Sequence, residues 1–235
     1  MAVSNSTDFS LSAEEIVREA RALIGVDASE ESLEAHELQE GLRALNMMLK
    51  AWQAKGIMYW TMTEGSLTLV QGQESYSFAS GGDFTTVPFD IMDMRITRSS
   101  TDLPMTEMSR EDYYALPLKT NQGYPTQWFY DRQRESGTLY VWPSPDATAG
   151  TLKFTYRRSI MDMDASGDNM DLPQEWYEAI ISNLAKRFIP RYGPIDPMTA
   201  AEVKEQAAMS YDAVQTFNVG EGEGSISIMP GMGYD

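Results

Sequence analysis

The chain contains no cysteine and a single histidine among its 235 residues. The first absence excludes a disulfide scaffold, a zinc ribbon, an iron–sulfur site and a thiol nucleophile. The second excludes any site that needs two imidazoles. Cations are scarce: 18 Lys+Arg stand against 35 Asp+Glu, a formal charge of −17. Such a surface repels nucleic-acid backbone and anionic membranes, so neither is expected as a tight ligand. No run of about 18 apolar residues occurs, so no membrane span is expected. The opening residues, MAVSNSTDFSLSAEE, have neither the basic start nor the apolar core of a signal peptide. The acidity is spread out, with −5 over residues 1–56, −7 over 57–172 and −5 over 173–235, so it is a coat and not a tail. With 42% apolar and 23% charged residues, most of the chain is expected to be globular. A chain of this length buries enough surface to fold without a disulfide or a metal.

What is present falls into three stretches. Ser12-Ala-Glu-Glu15 reads as a capping box, followed by Ile16, Ala20, Leu23 and Ile24 at helical spacing and by Gly25 as a stop. A second helix is predicted from 34 to 55, because Leu38, Leu42, Leu45, Leu49 and Trp52 form one stripe. Between Gly56 and Leu172 the apolar residues alternate instead, over Leu67–Val70, Tyr76–Phe78, Ile91–Thr97, Trp128–Tyr130, Leu139–Trp142 and Leu152–Tyr156. The segment from Gly137 to Arg157 reads as a hairpin with a longer loop. One short helix is expected between Ser109 and Pro117. Helical spacing returns after Leu172, with Pro173 at the first helical position, then Trp176, Ile180, Ile181, Leu184 and Phe188. Asp196-Pro197 opens a last helix with Ala200, Val203, Ala207, Tyr211, Val214 and Phe217 on one side. From Gly220 the chain is glycine-rich and without helical period. The economical solution packs the two end pairs of helices on each other, with the β region inserted between them.

Candidate chemistry is thin. His36 beside Glu37 reads as a partly exposed helix residue. Neither a GxSxG elbow nor a GxxxxGK[ST] loop is present. Gly220-Glu-Gly-Glu-Gly224 is a poor phosphate cradle, since its glutamates repel phosphate. Asp162 to Asp168 echoes the start of a calcium loop, but Pro173 stands where the closing carboxylate belongs, so an acidic turn is the expected reading. Glu175 and Glu178 share a helix face, as many solvated pairs do. Arg132, Arg134, Arg157 and Arg158 lie among Tyr130, Tyr140, Trp142 and Tyr156, a pattern that suits single strands but is expected here to be strand surface over core. No catalytic residue, cofactor or metal is assigned. The chain carries 16 Met. Most fill core, but Met58, Met62, Met92 and Met94 are candidate interface residues, since Met suits adaptable contacts. Ile226, Ile228, Met229 and Tyr234 are candidate docking residues of a C-terminal arm, which would add to a partner as a strand.

GLRALNMMLKAWQAKGIMYWTMTE at 41–64, GTLYVWPSPDATAGTLKFTYRRS at 137–159 and LPQEWYEAIISNLAKRFIPRYG at 172–193 resemble the corresponding parts of the head-to-tail adaptor proteins of short-tailed bacteriophages, also called tail accessory or DNA-stabilisation proteins. The resemblance runs from about residue 12 to 217. It implies a structural protein at the head-to-tail junction of a virion, assembled in the host cytoplasm. It also implies a homo-oligomeric ring of 12 copies below the portal protein, bearing the tail nozzle and fibres or spikes. Double-stranded DNA would pass through the channel without specific binding, sliding past an acidic wall. The fold class expected is α+β: a helical bundle from both chain ends (1–56 and 173–217), an inserted antiparallel β-rich domain (57–172) and an extended Gly-rich tail (218–235). The alternatives are a peptidoglycan hydrolase used at DNA entry and a single-strand-binding module.

Overall fold

The computed structural model describes residues 8–26, 33–57, 59–147 and 150–222, excepting the side chains of 59 and 217–222. The chain divides into a helical unit, residues 1–59 with 161–235, and a β unit, Trp60–Ile160.

In the helical unit, α1 (Ala13–Leu23) begins at Ser12, which forms the expected capping box: the Glu15 amide donates to Ser12 Oγ at 3.3 Å and the Ser12 amide to the Glu15 carboxylate at 2.8 Å. The Ser12 amide, and the Ser12 hydroxyl donating to the same carboxylate at 2.8 Å, hold the Glu15 carboxyl below its ordinary pKa. α2 (Ala35–Ala54) buries Leu42, Leu45, Leu49 and Trp52 along its apolar stripe. α1 and α2 approach closely at Gly41, where any Cβ would strike the side chain of Val17. α4 (Tyr177–Phe188) is the hub, packing on α1, α2 and α5 (Pro197–Gly222), which is the expected pairing of first helices with last. Trp52 lies 5.8 Å from the Trp176 ring and 5.2 Å from that of Tyr211, joining α2 to both C-terminal elements. Pro173 stands just before a short 3-10 turn, Gln174–Trp176, rather than in the first helical position. The last helix continues to Gly222, beyond Phe217, because extending an existing helix fixes one residue per added bond without a new nucleus. Residues 223–235 lie outside the described residues.

The β unit is a sandwich. One sheet has the order β1 (Met62–Thr68), β10 (Thr151–Arg157), β3 (Asp90–Arg98), β4 (Thr101–Pro104). The other has β2 (Ser75–Phe78), β8 (Gly137–Trp142), β7 (Gln127–Arg132), β5 (Thr106–Glu107), and a small pair joins β6 (Gln122–Gly123) to β9 (Ser144–Pro145). All pairings are antiparallel except β5 with β7 and β6 with β9. Alternation on both sheets directs Leu67, Ile96, Leu152 and Phe154 toward Phe78, Trp128, Leu139 and Val141, in one core. α3 (Arg110–Ala115), capped by Ser109 as expected, puts Tyr113 against Phe129 and Tyr140 on the other face of the second sheet.

The expected hairpin of β8 with β10 does not form. β8 pairs with β7 and β2, and β10 with β1 and β3. Both strands alternate cleanly, so each has an apolar face to bury, and they present those faces from opposite sheets. The true hairpins are β7–β8 and β3–β4. The latter turns at Ser99 and Ser100, both with positive φ (46° and 66°), the twist that a two-residue connection requires.

The segment after Ile160 groups with the helical unit rather than with the β region up to Leu172. Its irregular backbone finds partners there. The amides of Ala13 and Glu14 donate to the carbonyls of Asp168 and Ser166 (2.9 and 3.1 Å), which satisfies first-turn donors of α1.

Candidate interaction surfaces

The residues considered for chemistry are used locally. Asp168 accepts from the amides of Asp164 and Ala165 at 2.9 and 2.8 Å, closing the acidic turn on itself. Asp162 pairs with Lys50 at 2.8 Å. Among the described residues no group of three or more His, Asp or Glu is placed to hold a metal ion. His36 is exposed, with Nδ1 3.2 Å from the Glu34 carboxylate. Glu175 and Glu178 are exposed at the start of α4. Of the aromatic and basic groups, Tyr156 is core, Arg132 lies over the Phe89 ring at 4.1 Å, and Tyr130 donates to the Pro88 carbonyl at 3.2 Å.

The candidate methionines separate. Met62 and Met92 are exposed, 41% and 46%, at one end of the first sheet. Met94 is only 2% exposed and belongs to the core, which removes it from the surface. The cause is a bulge. Tyr156 pairs with Ile91 and Thr155 with Asp93, so Met92 is the extra residue and the alternation changes phase there. The signal is present in the sequence, since Ile91, Met94 and Ile96 are spaced three and then two apart. Met58, Ile226, Ile228, Met229 and Tyr234 lie outside the described residues.

The outer face of this sheet carries a charge network that sequence reading did not find. Arg95 on β3 reaches Glu64 on β1 (2.6 Å), Asp93 (3.3 Å) and Asp102 on β4 (3.5 Å), and Lys153 on β10 reaches Asp102 (3.5 Å). The hydroxyl of Thr97 also donates to Asp102, and with Lys153 holds that carboxyl below its ordinary pKa. The Glu64 bond raises the pKa of Arg95. Every strand of the sheet contributes a charge, so the network ties register together. Its members are satisfied by one another and none is poised for acid–base work.

The helical unit has a groove of about 710 Å³. One wall is α2, through Leu42, Arg43, Asn46, Met47 and Lys50. The other is the returning segment Asp162, Met163 and Asp164. Asn46 fixes the two walls together, since its side-chain amide both donates to and accepts from the Met163 backbone, each at 2.9 Å. Met47 on the rim is 54% exposed. The groove offers an open, mixed surface with a half-exposed apolar rim. That arrangement suits a protein segment better than a small substrate, which needs an enclosed site.

No curated protein matches the chain. Among solved structures, the neck of an empty GTA particle computed with C6 symmetry is similar over 84% of this chain and 93% of its own, at 12% identity and a TM-score of 0.27. The SU10 adaptor protein family matches residues 11–222, which takes in both helical stretches and the whole β unit. The adaptor-type family expected from the packing residues of α2, β8–β10 and α4 is thereby established, and the chain belongs to the SU10 adaptor protein family.

Proposed function

We propose that this protein is the structural head-to-tail connector of a bacteriophage virion. The observation that carries the reading is the adaptor family match across both units. In this reading 12 copies form a ring beneath the portal protein, extend the DNA channel, help to retain the packaged genome and provide the platform for the tail nozzle and fibres or spikes. The copies are made in the host cytoplasm and end at the head-to-tail junction. The net charge of −17 supports passage of DNA without tight binding, since few cations are free to pair with phosphates. The protein acts by shape and contact, without catalysis. Met58, Met62 and Met92 contribute to contacts with other virion proteins, as do Ile226, Ile228, Met229 and Tyr234 of the tail.

Negative-stain electron microscopy of the purified protein, alone and mixed with the portal protein of the same genome, tests this. The expected result is a ring, or a portal that gains one layer. A protein that stays monomeric beside the portal would overturn the reading.

A further inference from the structure

The longest helix is the least covered. α5 has 26 residues, about 39 Å at 1.5 Å per residue, whereas α4 beneath it has 12, about 18 Å. α5 turns Val203, Ala207 and Val214 inward. On the opposite side Met198, Glu202, Glu205, Met209 and Asp212 are all exposed, spaced by 4, 3, 4 and 3 residues. Met198 and Met209 are 71% and 62% exposed, and the three acids make no ion pair among the described residues. The 4–3 spacing places these five side chains on one outward face of α5, two methionines among three acids.

α2 carries the complementary stripe. Arg43, Met47 and Lys50 lie outward at the same 4–3 spacing on the rim of the 710 Å³ groove. Arg43 makes no ion pair among the described residues, and Lys50 pairs with Asp162 at a half-exposed site. In a chain of charge −17 two copies repel unless their contact brings scarce cations against acids. Here two cations flank an exposed Met on α2, and three acids flank an exposed Met on α5. Asp162 and Asp164 on the far wall of the groove disfavour acids there, so those of an incoming helix belong on the α2 side, nearest Arg43.

We propose that the occupant of the α2 groove is α5 of a second copy of this chain, with Met209 packed on Met47 and Glu202, Glu205 and Asp212 placed against Arg43 and Lys50. The two faces are different surfaces of one unit, so the contact is head-to-tail and repeats from copy to copy, as a closed ring requires. This inference rests on the ring reading above and names the contact that builds it.

The absence of native cysteine makes the test direct. Chains carrying Met47→Cys are mixed with chains carrying Met209→Cys, with and without the portal protein, and mildly oxidised. The mixture is expected to give a disulfide-linked dimer that neither chain gives alone. Leu118→Cys, at an exposed position of the β unit, paired with Met209→Cys is expected to give none. In parallel, Arg43→Glu with Lys50→Glu, and Glu202→Lys with Glu205→Lys, should each weaken association by about tenfold per contact, and a chain carrying all four should recover it. Rings that form without the 47–209 product, or that ignore the charge reversals in folded protein, would overturn this contact and leave the ring reading intact. The 47–209 product without closed rings would keep the contact and overturn the ring. Self-linking of Met47→Cys chains would show a two-fold contact and overturn the head-to-tail arrangement.

Discussion

Asn46 pairs with the backbone of Met163 as one strand residue pairs with another. Its Nδ2 donates to the Met163 carbonyl and its Oδ1 accepts from the Met163 amide, both at 2.9 Å. A helix side chain thus takes the place of a β-ladder for an irregular segment that returns from the β unit. Replacing it with Ala leaves a partly buried donor and acceptor unpaired, a loss of about 1–3 kcal/mol. Asn46→Ala is therefore expected to lower the midpoint of urea unfolding with the slope unchanged. Asn46→Asp, which keeps the acceptor and sets a carboxylate against the Met163 carbonyl, should recover none of that loss.

Arg21 is 3% exposed and donates to the Glu37 carboxylate at 2.8 Å and to the Tyr192 hydroxyl at 3.0 Å. Glu37→Ala removes one carboxylate partner from a buried guanidinium and should cost about 1–3 kcal/mol, discounted for the partial exposure of Glu37. The Arg21 bond, then the Glu34 amide, hold the Glu37 carboxyl below its ordinary 4.5. A lowered folded pKa means that the stabilisation is complete above the unfolded value and fades as pH falls through the folded one. Melting temperature should therefore drop more steeply between about pH 5 and 3 in the wild type than in Glu37→Gln.

Gly65 on β1 lies over aromatic rings. A Cβ there would stand 2.6 Å from the Phe154 ring and 3.1 Å from that of Phe84. Gly65→Ala forces the rings or the strand to move and should destabilise the β unit by about 1–3 kcal/mol, read by near-ultraviolet circular dichroism during denaturation. Gly167→Ala, where the added Cβ meets nothing, is the control.

Burial pushes the hydroxyls of Tyr113 and Tyr130 up to about 12. The unfolded chain ionises them near 10, so it releases protons that the folded chain keeps. Stability is then constant below about pH 10 and falls as pH rises from there toward 12. Absorbance at alkaline pH should show late-titrating tyrosines, Tyr113 and Tyr130 among them, and Tyr130→Phe should remove one of them.

If the C-terminal arm docks, Ala at Ile226, Ile228 and Met229 together should reduce ring formation or attachment to the portal, measured by sedimentation. Unchanged assembly would remove the arm from the interface.

Local patterns were legible in the sequence. The Ser12–Glu15 box, the α2 stripe and the Ser109 start of α3 each depend on residues within a turn or two, and the structure places them where spacing predicts. Pairing was not legible, because β8 and β10 alternate identically whether they meet edge to edge or face to face. β4, β5, β6 and β9 are too short or too polar to show a period. The Met92 bulge changes the face of one methionine and not of the next, a phase shift visible only as an odd interval. The Arg95 network joins residues from four strands, and the Asn46 bond spans 117 positions, so neither leaves a local trace. On α5 the inner apolar stripe is the stronger periodic signal, and the outer methionines and acids carry no pattern that stands out beside it.

The chain enters the β unit through β1 and leaves it through β10, and these strands are neighbours, with Met62 opposite Arg157. Just beyond, the Arg158 amide donates to the Thr61 carbonyl at 3.1 Å. Both covalent tethers therefore attach at the same end of one antiparallel pair. Pulling the two tethers in opposite directions loads that pair as a zipper, opening one rung at a time from Thr61, rather than as a lap joint in which all rungs share the load. The resistance of the β unit to being opened by its own two tethers is set at this doorway by a few backbone bonds, however well the sandwich behind it is packed.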